Sequence, residues 1–379
     1  MEDYSKPDFK NTKLTIIYNF ASNYRSGIFK KIDQNWNCYW IFGSNKTDIK
    51  GMDLSILQNV KLISNKKILG NFYWQKNAIS LIRNEETNVL MLGEIYNLSS
   101  WLILILNKIR KTNPYIYLWS HGWYGRESLV KKLLKKLYFK LADGIFLYGN
   151  YAKKIAISQN FNKPNKLYVI HNSLDHQKQL DIRKNLKSSN IYFNHFSNQY
   201  KNIIFIGRLT KSKKISLLLE AIKRLENKNI LINLIIVGGG EDEENLKDLT
   251  QKLQLKERVW FYGPCYNEKE NAELLYNSDL CVSPGNVGLN AVHSMMFGTP
   301  VITHNDFRYQ GPEFESIVPD KTGDFFIKDS IDDLSIVIEN WIKSQNNREI
   351  IRQNCYNEID TNWTPEYQIK ILKDIINNQ

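Results

Sequence analysis

The amino-acid sequence predicts an α/β protein built of two doubly wound parallel-sheet domains in series. Three observations lead there. Short apolar segments rich in β-branched and aromatic residues alternate with amphipathic stretches, the order that gives a parallel sheet covered on both faces. The alternation stops once, over the polar segment 172–200, and then restarts. The length of 379 residues suits two domains at about 100–200 residues each.

In the first half, 13–20, 38–42, 88–92, 115–119, 144–148 and 167–170 read as strands, with helices at 97–109 and 128–142 between them. The segment 172–200 lacks a long apolar run and reads as an interdomain connection. In the second half, strands are expected at 202–206, 230–237, 258–262, 279–283 and 300–304. Helices are expected at 215–225, 241–253, 268–276 and 289–297, then at about 331–343, 347–358 and 365–378.

Composition narrows the class. Hydrophobic residues at 42% and charged residues at 24% are the balance of a globular chain long enough to bury a core without disulfides. The 51 Lys+Arg against 39 Asp+Glu leave a formal charge of +12, which suits an anionic ligand, an anionic membrane face or nucleic acid. Residues 1–13 carry no apolar core of a signal peptide, and no apolar run approaches the ~18 residues of a spanning helix. Cys38, Cys265, Cys281 and Cys355 show no metal or disulfide spacing and suit free thiols in a reducing cytosol. The basic residues are not interleaved with aromatics on a strand platform, so no nucleic-acid partner is expected.

Three stretches carry candidate chemistry. In FIGRLTKSKKISLLLEAI (205–222), a strand ends at Gly207 and the cations Arg208 and Lys213 follow before an amphipathic helix. That arrangement seats a phosphate or diphosphate, and an ordinary charged surface loop has the same look. In LIIVGGGEDEENL (234–246), three glycines precede Glu241, Asp242, Glu243 and Glu244. The acids favour a helix start rather than an anion, and the full dinucleotide fingerprint is missing. In LCVSPGNVGLNAVHSMMFGTPVITH (280–304), Pro284, Gly285 and Gly288 form a glycine loop, Leu289 opens a helix and His293 lies one turn along it. His304 ends the following strand and reads as structural or as lining a site.

The stretch LVKKLLKKLYFKLA (129–142) places Val130, Leu133, Leu134, Leu137, Tyr138 and Leu141 on one helical stripe. Lys131, Lys132, Lys135, Lys136 and Lys140 take the other face. Two readings stand: a core-packed helix with a solvated lysine face, or a basic helix lying on anionic lipid through its lysines. Trp119, Trp123 and Tyr124, just before it, would stack on a sugar, sit at an interface or fill the core.

Together these pieces resemble the retaining, GT-B-fold glycosyltransferases of family four. The resemblance runs from residue 203 to about 326 through GRL-x3-K, VGGG, FYGP, the 268–279 step, G-x-x-GL…FGTPVI and PEFESIVPDKTG (312–323). In the first half, YVIHNSLD (168–175) is similar to the family's hinge strand. Ser120-His121-Gly122 stands where a histidine often faces the cleft, and Gly27 matches the glycine loop after the first strand.

The resemblance implies an acceptor domain over 1–175, a nucleotide-sugar domain over 176–360, and a final helix (361–379) crossing back to the first domain. It implies transfer of a sugar from a nucleoside-diphosphate donor to a hydroxyl of a glycan acceptor, lipid-linked as in bacterial surface polysaccharide, with no metal and no other cofactor. Arg208 and Lys213 would stabilise the departing diphosphate, and His121 would orient the acceptor or touch the donor sugar. Gly27, Gly207, Pro284, Gly285, Gly288, Leu289 and His293 would line the donor site. A location in the cytoplasm or on the inner face of its membrane follows.

One departure stands out. Family members carry two glutamates spaced E-x7-E, and here those positions are Gly285 and His293. A histidine can still hydrogen-bond a ribose hydroxyl, and Glu313 or Glu315 would supply the missing acid, with Glu315 taking the family's position. The same departure leaves room for a sugar-nucleotide-binding subunit without activity. An epimerase on the same fold is the other alternative.

Overall fold

The computed structural model describes residues 13–44, 50–80, 88–110, 114–344 and 347–377. The reading of residues 1–12 as a polar terminus and of 378 as helical lies outside them. The chain divides into two compact units, Met1–Asp175 with Pro365–Gln379, and His176–Thr364.

The first unit is a seven-stranded sheet with strand order β3-β2-β1-β6-β7-β8-β9. Its strands are β1 (Lys13–Tyr18), β2 (Asn37–Gly43), β3 (Val60–Ile63), β6 (Asn88–Leu92), β7 (Ile116–Ser120), β8 (Gly144–Leu147) and β9 (Leu167–Val169), all parallel. A separate antiparallel pair, β4 (Asn65–Lys67) and β5 (Tyr73–Gln75), lies between β3 and β6 in the chain. The helices are α1 (Ser26–Asn35), α2 (Leu98–Arg110), α3 (Leu129–Leu141) and α4 (Asn150–Ser158).

The period of two splits β1 between two cores. Leu14, Ile16 and Tyr18 enter one with Phe29 and Trp40, and Ile17 enters the other with Val89, Met91 and Phe139. The chain's last helix, Pro365–Ile376, adds Ile369, Leu372 and Ile376 to the first of these cores. The second unit supplies α5 to α12, so that terminal helix is α13.

The second unit is a six-stranded parallel sheet with order β12-β11-β10-β13-β14-β15. Its strands are β10 (Lys201–Ile206), β11 (Ile232–Val237), β12 (Val259–Gly263), β13 (Leu280–Ser283), β14 (Val301–His304) and β15 (Gly323–Phe326). Its helices are α5 (His176–Arg183), α6 (Ile191–Phe196), α7 (Ile215–Asn227), α8 (Glu243–Lys252), α9 (Glu268–Asn277), α10 (Asn290–Met296), α11 (Ile331–Lys343) and α12 (Arg348–Asn362). In α7, Ile215, Leu218, Leu219, Ile222 and Leu225 recur at helical spacing and are all buried against β10 and β11.

Several expectations are corrected. The segment 172–200 is no bare connection. It folds into α5 and α6, and the Tyr192 hydroxyl of α6 donates to the Leu274 carbonyl at 2.6 Å. The edge strand β3 and the β4–β5 pair escape a hydropathy reading because they are short and carry Lys61, Lys66 and Lys67, as edges do. Trp119 and Trp123 are fully buried, so they fill the core and face no sugar or interface.

Helix α3 is turned about its axis from the expected setting. Of the expected stripe Tyr138 is buried and Leu134 and Leu141 pack partly buried against the same core; Phe139, Ala142 and Lys135 are also buried, while Leu129, Val130, Leu133 and Leu137 are exposed. Lys135 therefore leaves the set of lysines available to a membrane. Its ammonium is held by the Gly122 carbonyl at 2.5 Å and the Glu127 carboxylate at 2.7 Å.

Candidate functional site

In an open parallel sheet the carboxyl ends of the strands leave unpaired main-chain groups and loops, and ligands bind there. The candidate site residues of each unit gather at those ends.

In the second unit the loop after β10 and the loop after β11 are stitched together. The Leu209 amide donates to the Gly239 carbonyl at 3.0 Å, and the Asp242 amide to the Leu209 carbonyl at 3.0 Å. The approach is so close that a Cβ on Gly238, which has φ +146, would stand 1.8 Å from the Gly207 oxygen.

The loop after β13 joins them. The Gly285 amide donates to the Lys213 carbonyl at 3.1 Å, and the Lys213 ammonium donates to the Asn286 carbonyl at 2.6 Å. Gln310 braces this loop from behind, accepting from the Val287 amide at 2.9 Å and donating to Thr303 Oγ1 at 2.8 Å.

Three charges meet there. Arg208 is exposed. Lys213 is half-buried, and its pKa is pushed down by burial and then by the Arg208 charge, with Glu313 acting the other way. Two cations held together in a partly dry loop repel each other, and an anion between them relieves that repulsion. Glu313 is buried, and its carboxylate lies beside Gly311 in the strap next to Gly288. Glu315 is half-buried two residues further along the same turn. The acid brought to Lys213 is thus Glu313.

Pro284, Gly285 and Gly288 lie in this loop, Gly288 at φ +52, and Leu289 caps α10. His293, on α10, is already engaged: its Nε2 lies 3.0 Å from Glu268 Oε1, which also accepts from Gln179 at 2.7 Å. Burial tends to raise the Glu268 pKa, but the His293 bond and charge, the Gln179 bond and the Lys178 charge together outweigh it and hold the carboxyl below its usual range. A hollow of about 1020 Å³ beside α5 and the start of α9 is bounded by Glu268 and contains neither Arg208 nor Lys213.

In the first unit a cavity of about 460 Å³ opens at the ends of β1, β6 and β7, where Arg25, Glu94, His121 and Tyr124 line it. Arg25 is buried and hydrogen-bonded to the Tyr148 hydroxyl. Its guanidinium lies 5.4 Å from the Tyr18 ring centre, 5.3 Å from that of Tyr148 and 5.7 Å from that of Trp119. His121 keeps an open edge on the cavity and packs 4.6 Å from the Tyr148 ring. Crowding by the wall, then the Arg25 and Lys135 charges, push its pKa down to about 4, so the imidazole is neutral at physiological pH.

Glu94 Oε2 accepts from the Tyr73 hydroxyl at 3.0 Å and from Asn19 Nδ2 at 3.3 Å. Burial raises its pKa, and the Tyr73 bond only partly offsets this. Gly27 lies outside the cavity lining. It sits in the first turn of α1, where a Cβ would come 3.1 Å from the Asp175 Cα. His304 is 2% exposed, and burial lowers its pKa to about 4.

Arg25 and Glu94 were not singled out from the sequence. A signal existed for both: Glu94 stands two residues past β6 in LMLGE, and Arg25, in NYRSG, lies in the loop from β1 to α1, at the edge where ligands sit.

Comparison with known proteins places these features in context. Residues 188–358 match the family described as glycosyl transferases group 1. An uncharacterized 41.2 kDa protein in the cps region of Klebsiella pneumoniae is 31% identical over 46% of this chain and 48% of its own. The N-acetylgalactosamine-N,N'-diacetylbacillosaminyl-diphospho-undecaprenol 4-alpha-N-acetylgalactosaminyltransferase of Campylobacter jejuni is 30% identical over 36% of this chain and 34% of its own. The chain thus spans half or less of the length of these curated relatives.

Solved structures match nearly end to end. A glycosyltransferase from Rickettsia africae has TM-score 0.72 and 18% identity, with 97% of this chain and 100% of that one covered. HepE of Anabaena in complex with UDP has TM-score 0.70 and 15% identity over the same shares. The lipopolysaccharide outer core galactosyltransferase WaaB has TM-score 0.69 and 14% identity, again over 97% and 100%. At these identities the likeness is one of fold. The fold is GT-B, an α/β architecture of two Rossmann-like parallel-sheet domains.

Proposed function

We propose that the chain is a glycosyltransferase that moves a sugar from a nucleoside-diphosphate sugar onto a hydroxyl of a glycan acceptor, with retention and without a metal ion. One observation carries this reading. Arg208 and Lys213 are held together by main-chain bonds on the strand-end loops of the very segment that matches glycosyl transferases group 1. As the bond from sugar to phosphate breaks, negative charge builds on the departing diphosphate. Two cations carried on one braced loop, Lys213 half-buried and Arg208 exposed, stabilise that charge more than they stabilise the ground state.

Glu313, beside Lys213, supplies the acid that Gly285 lacks and takes hydroxyls of the donor sugar. His293 offers its remaining ring nitrogen to the nucleoside ribose while Glu268 orients the ring. The cavity of the first unit takes the acceptor, and neutral His121 accepts the hydrogen bond of the attacking hydroxyl. Support for a lipid-linked acceptor in surface polysaccharide assembly comes from the Campylobacter relative, named for a diphospho-undecaprenol substrate, and from the Klebsiella relative in a cps region. HepE, solved with UDP, makes UDP the first nucleotide to try.

The test is a melting-temperature screen against UDP, GDP, dTDP, CMP, their sugars and NAD, followed by turnover with the donor that stabilises the protein. Arg208→Ala and Lys213→Ala are each expected to lower turnover by about 10²-fold or more, the scale of losing one transition-state donor, with unchanged circular dichroism. Wild-type rates in both variants would remove the diphosphate assignment. Stabilisation by NAD alone would replace transfer by a redox reading, and nucleotide binding without turnover on any acceptor would leave a binding subunit.

A further inference from the structure

Helix α3 packs Leu134, Tyr138, Phe139 and Leu141 inward, presents the rest of its apolar side to solvent and turns part of its basic side toward the protein. Leu129 is 84% exposed, Val130 71%, Leu133 58% and Leu137 50%. At 100° per residue these four fall within about a third of the helix circumference, so they form one ridge. The lysines explain the setting. Lys135 is fixed by Gly122 and Glu127, Lys131 lies over the Tyr96 ring and Lys136 over the Phe161 ring. Tyr138, inside, shares a hydrogen bond of 2.7 Å with Ser100 of α2. Swapping the ridge for the lysines would break all of these contacts.

Water gains nothing from four adjacent exposed aliphatic side chains, and what surrounds them identifies their partner. Lys140 falls within the ridge and is exposed, and Lys132 flanks it. No acid occurs anywhere from Ser128 to Ala142. An apolar stripe edged by cations alone complements a bilayer surface of anionic lipid. The aliphatic groups enter the acyl boundary, and the long lysine stems let their ammonium groups reach the phosphates. No helix among the described residues is long and apolar enough to cross a membrane, so the contact is an in-plane one.

We infer that the ridge of Leu129, Val130, Leu133 and Leu137 docks the protein onto an anionic membrane surface, with the leucines rather than the lysines as the larger contributor. This deepens the lipid-linked part of the proposed function, and it is tested by binding alone, so either can fail without the other.

The experiment is co-sedimentation of the full chain with vesicles of phosphatidylcholine mixed with phosphatidylglycerol, and with phosphatidylcholine alone. The wild-type chain is expected to bind the mixed vesicles better and to be partly released by salt. Leu133→Asp with Leu137→Asp is expected to weaken binding by about ten-fold or more at an unchanged melting temperature. Lys132→Ala with Lys140→Ala is expected to weaken it less. If the leucine variant loses its fold, Leu129→Asn with Val130→Asn carries the same expectation. No binding of wild type at low salt, or equal binding by the leucine variants, overturns the inference. So does a wild-type dimer that ignores vesicles and dissociates in those variants, because a second copy would then cover the ridge.

Discussion

In the second unit, Gly238, Gly240 and Gly285 let three loops close on one another main chain to main chain. In the first unit, Arg25, Glu94 and His121 reach one cavity from the ends of three neighbouring strands, side chain by side chain. The first kind of site is fixed by where a Cβ cannot be, and the second by which polar atoms find partners. The two therefore respond to different perturbations. Adding atoms breaks the glycine loops, and removing charge empties the cavity of its chemistry.

The largest expected effect follows from that contrast. Gly285→Glu, which puts a glutamate where the resembled family carries one, adds a Cβ 2.3 Å from the Ser212 oxygen and 2.8 Å from the Lys213 Cα. Both are main-chain atoms with no rotamer to escape into. The substitution is expected to destabilise by about 3 kcal/mol, the upper end of overpacking, and to lower turnover rather than raise it. Urea unfolding and donor turnover check this together. A stable and faster variant would mean that the loop opens in solution and that the missing carboxylate is a simple loss.

The same contrast explains what was legible in the sequence. The parallel sheets and most helices could be read because buried parallel strands are continuous apolar runs. The glycine loops could be read because contacts between short loops leave a local motif. The setting of α3 could not. Its period of apolar residues is correct, but Glu127 and Gly122 claim Lys135 and Tyr96 claims Lys131, and none of those partners lies on the helix itself. Glu94 had a signal in its place just past β6, but its partners were hidden, because Tyr73 and Asn19 come from distant positions in the chain.

The next effect is shared by the two units and limits the comparison to their ligand edges. His171 in the first and His304 in the second are buried, and burial lowers the pKa of each to about 4. Both are neutral in the folded chain, whereas the unfolded chain takes up their protons near pH 6.5. Between those values the unfolded state binds more protons, so stability is full above about pH 6.5 and falls as pH drops toward 4. Each histidine is expected to remove about 2 kcal/mol between neutral pH and pH 5. Unfolding by urea at both pH values measures the loss, and His304→Gln should flatten the dependence for the second unit alone. A stability independent of pH in this window would place both imidazoles in water.

The smallest effect isolates charge in the first unit's cavity. Among the described residues the hydrogen bonds to the Glu94 carboxylate, from Tyr73 and Asn19, end on Oε2, and in the proposed transfer Oε1 takes a hydroxyl of the acceptor. Burial makes that carboxylate costly to keep ionised, and a ligand hydroxyl repays part of the cost by donating to it. Glu94→Gln preserves shape and removes the charge. In the proposed transfer it should lower kcat/KM for the acceptor by about ten-fold, the scale of one hydrogen bond to a charged group, and leave nucleotide binding untouched. Melting-temperature shifts by the nucleotide read the second unit, and acceptor KM reads the first. A loss in both would mean that Glu94 only supports the fold through Tyr73 and β5. A loss in acceptor KM alone would mark the cavity as the acceptor's and separate its side-chain chemistry from the main-chain site of the second unit.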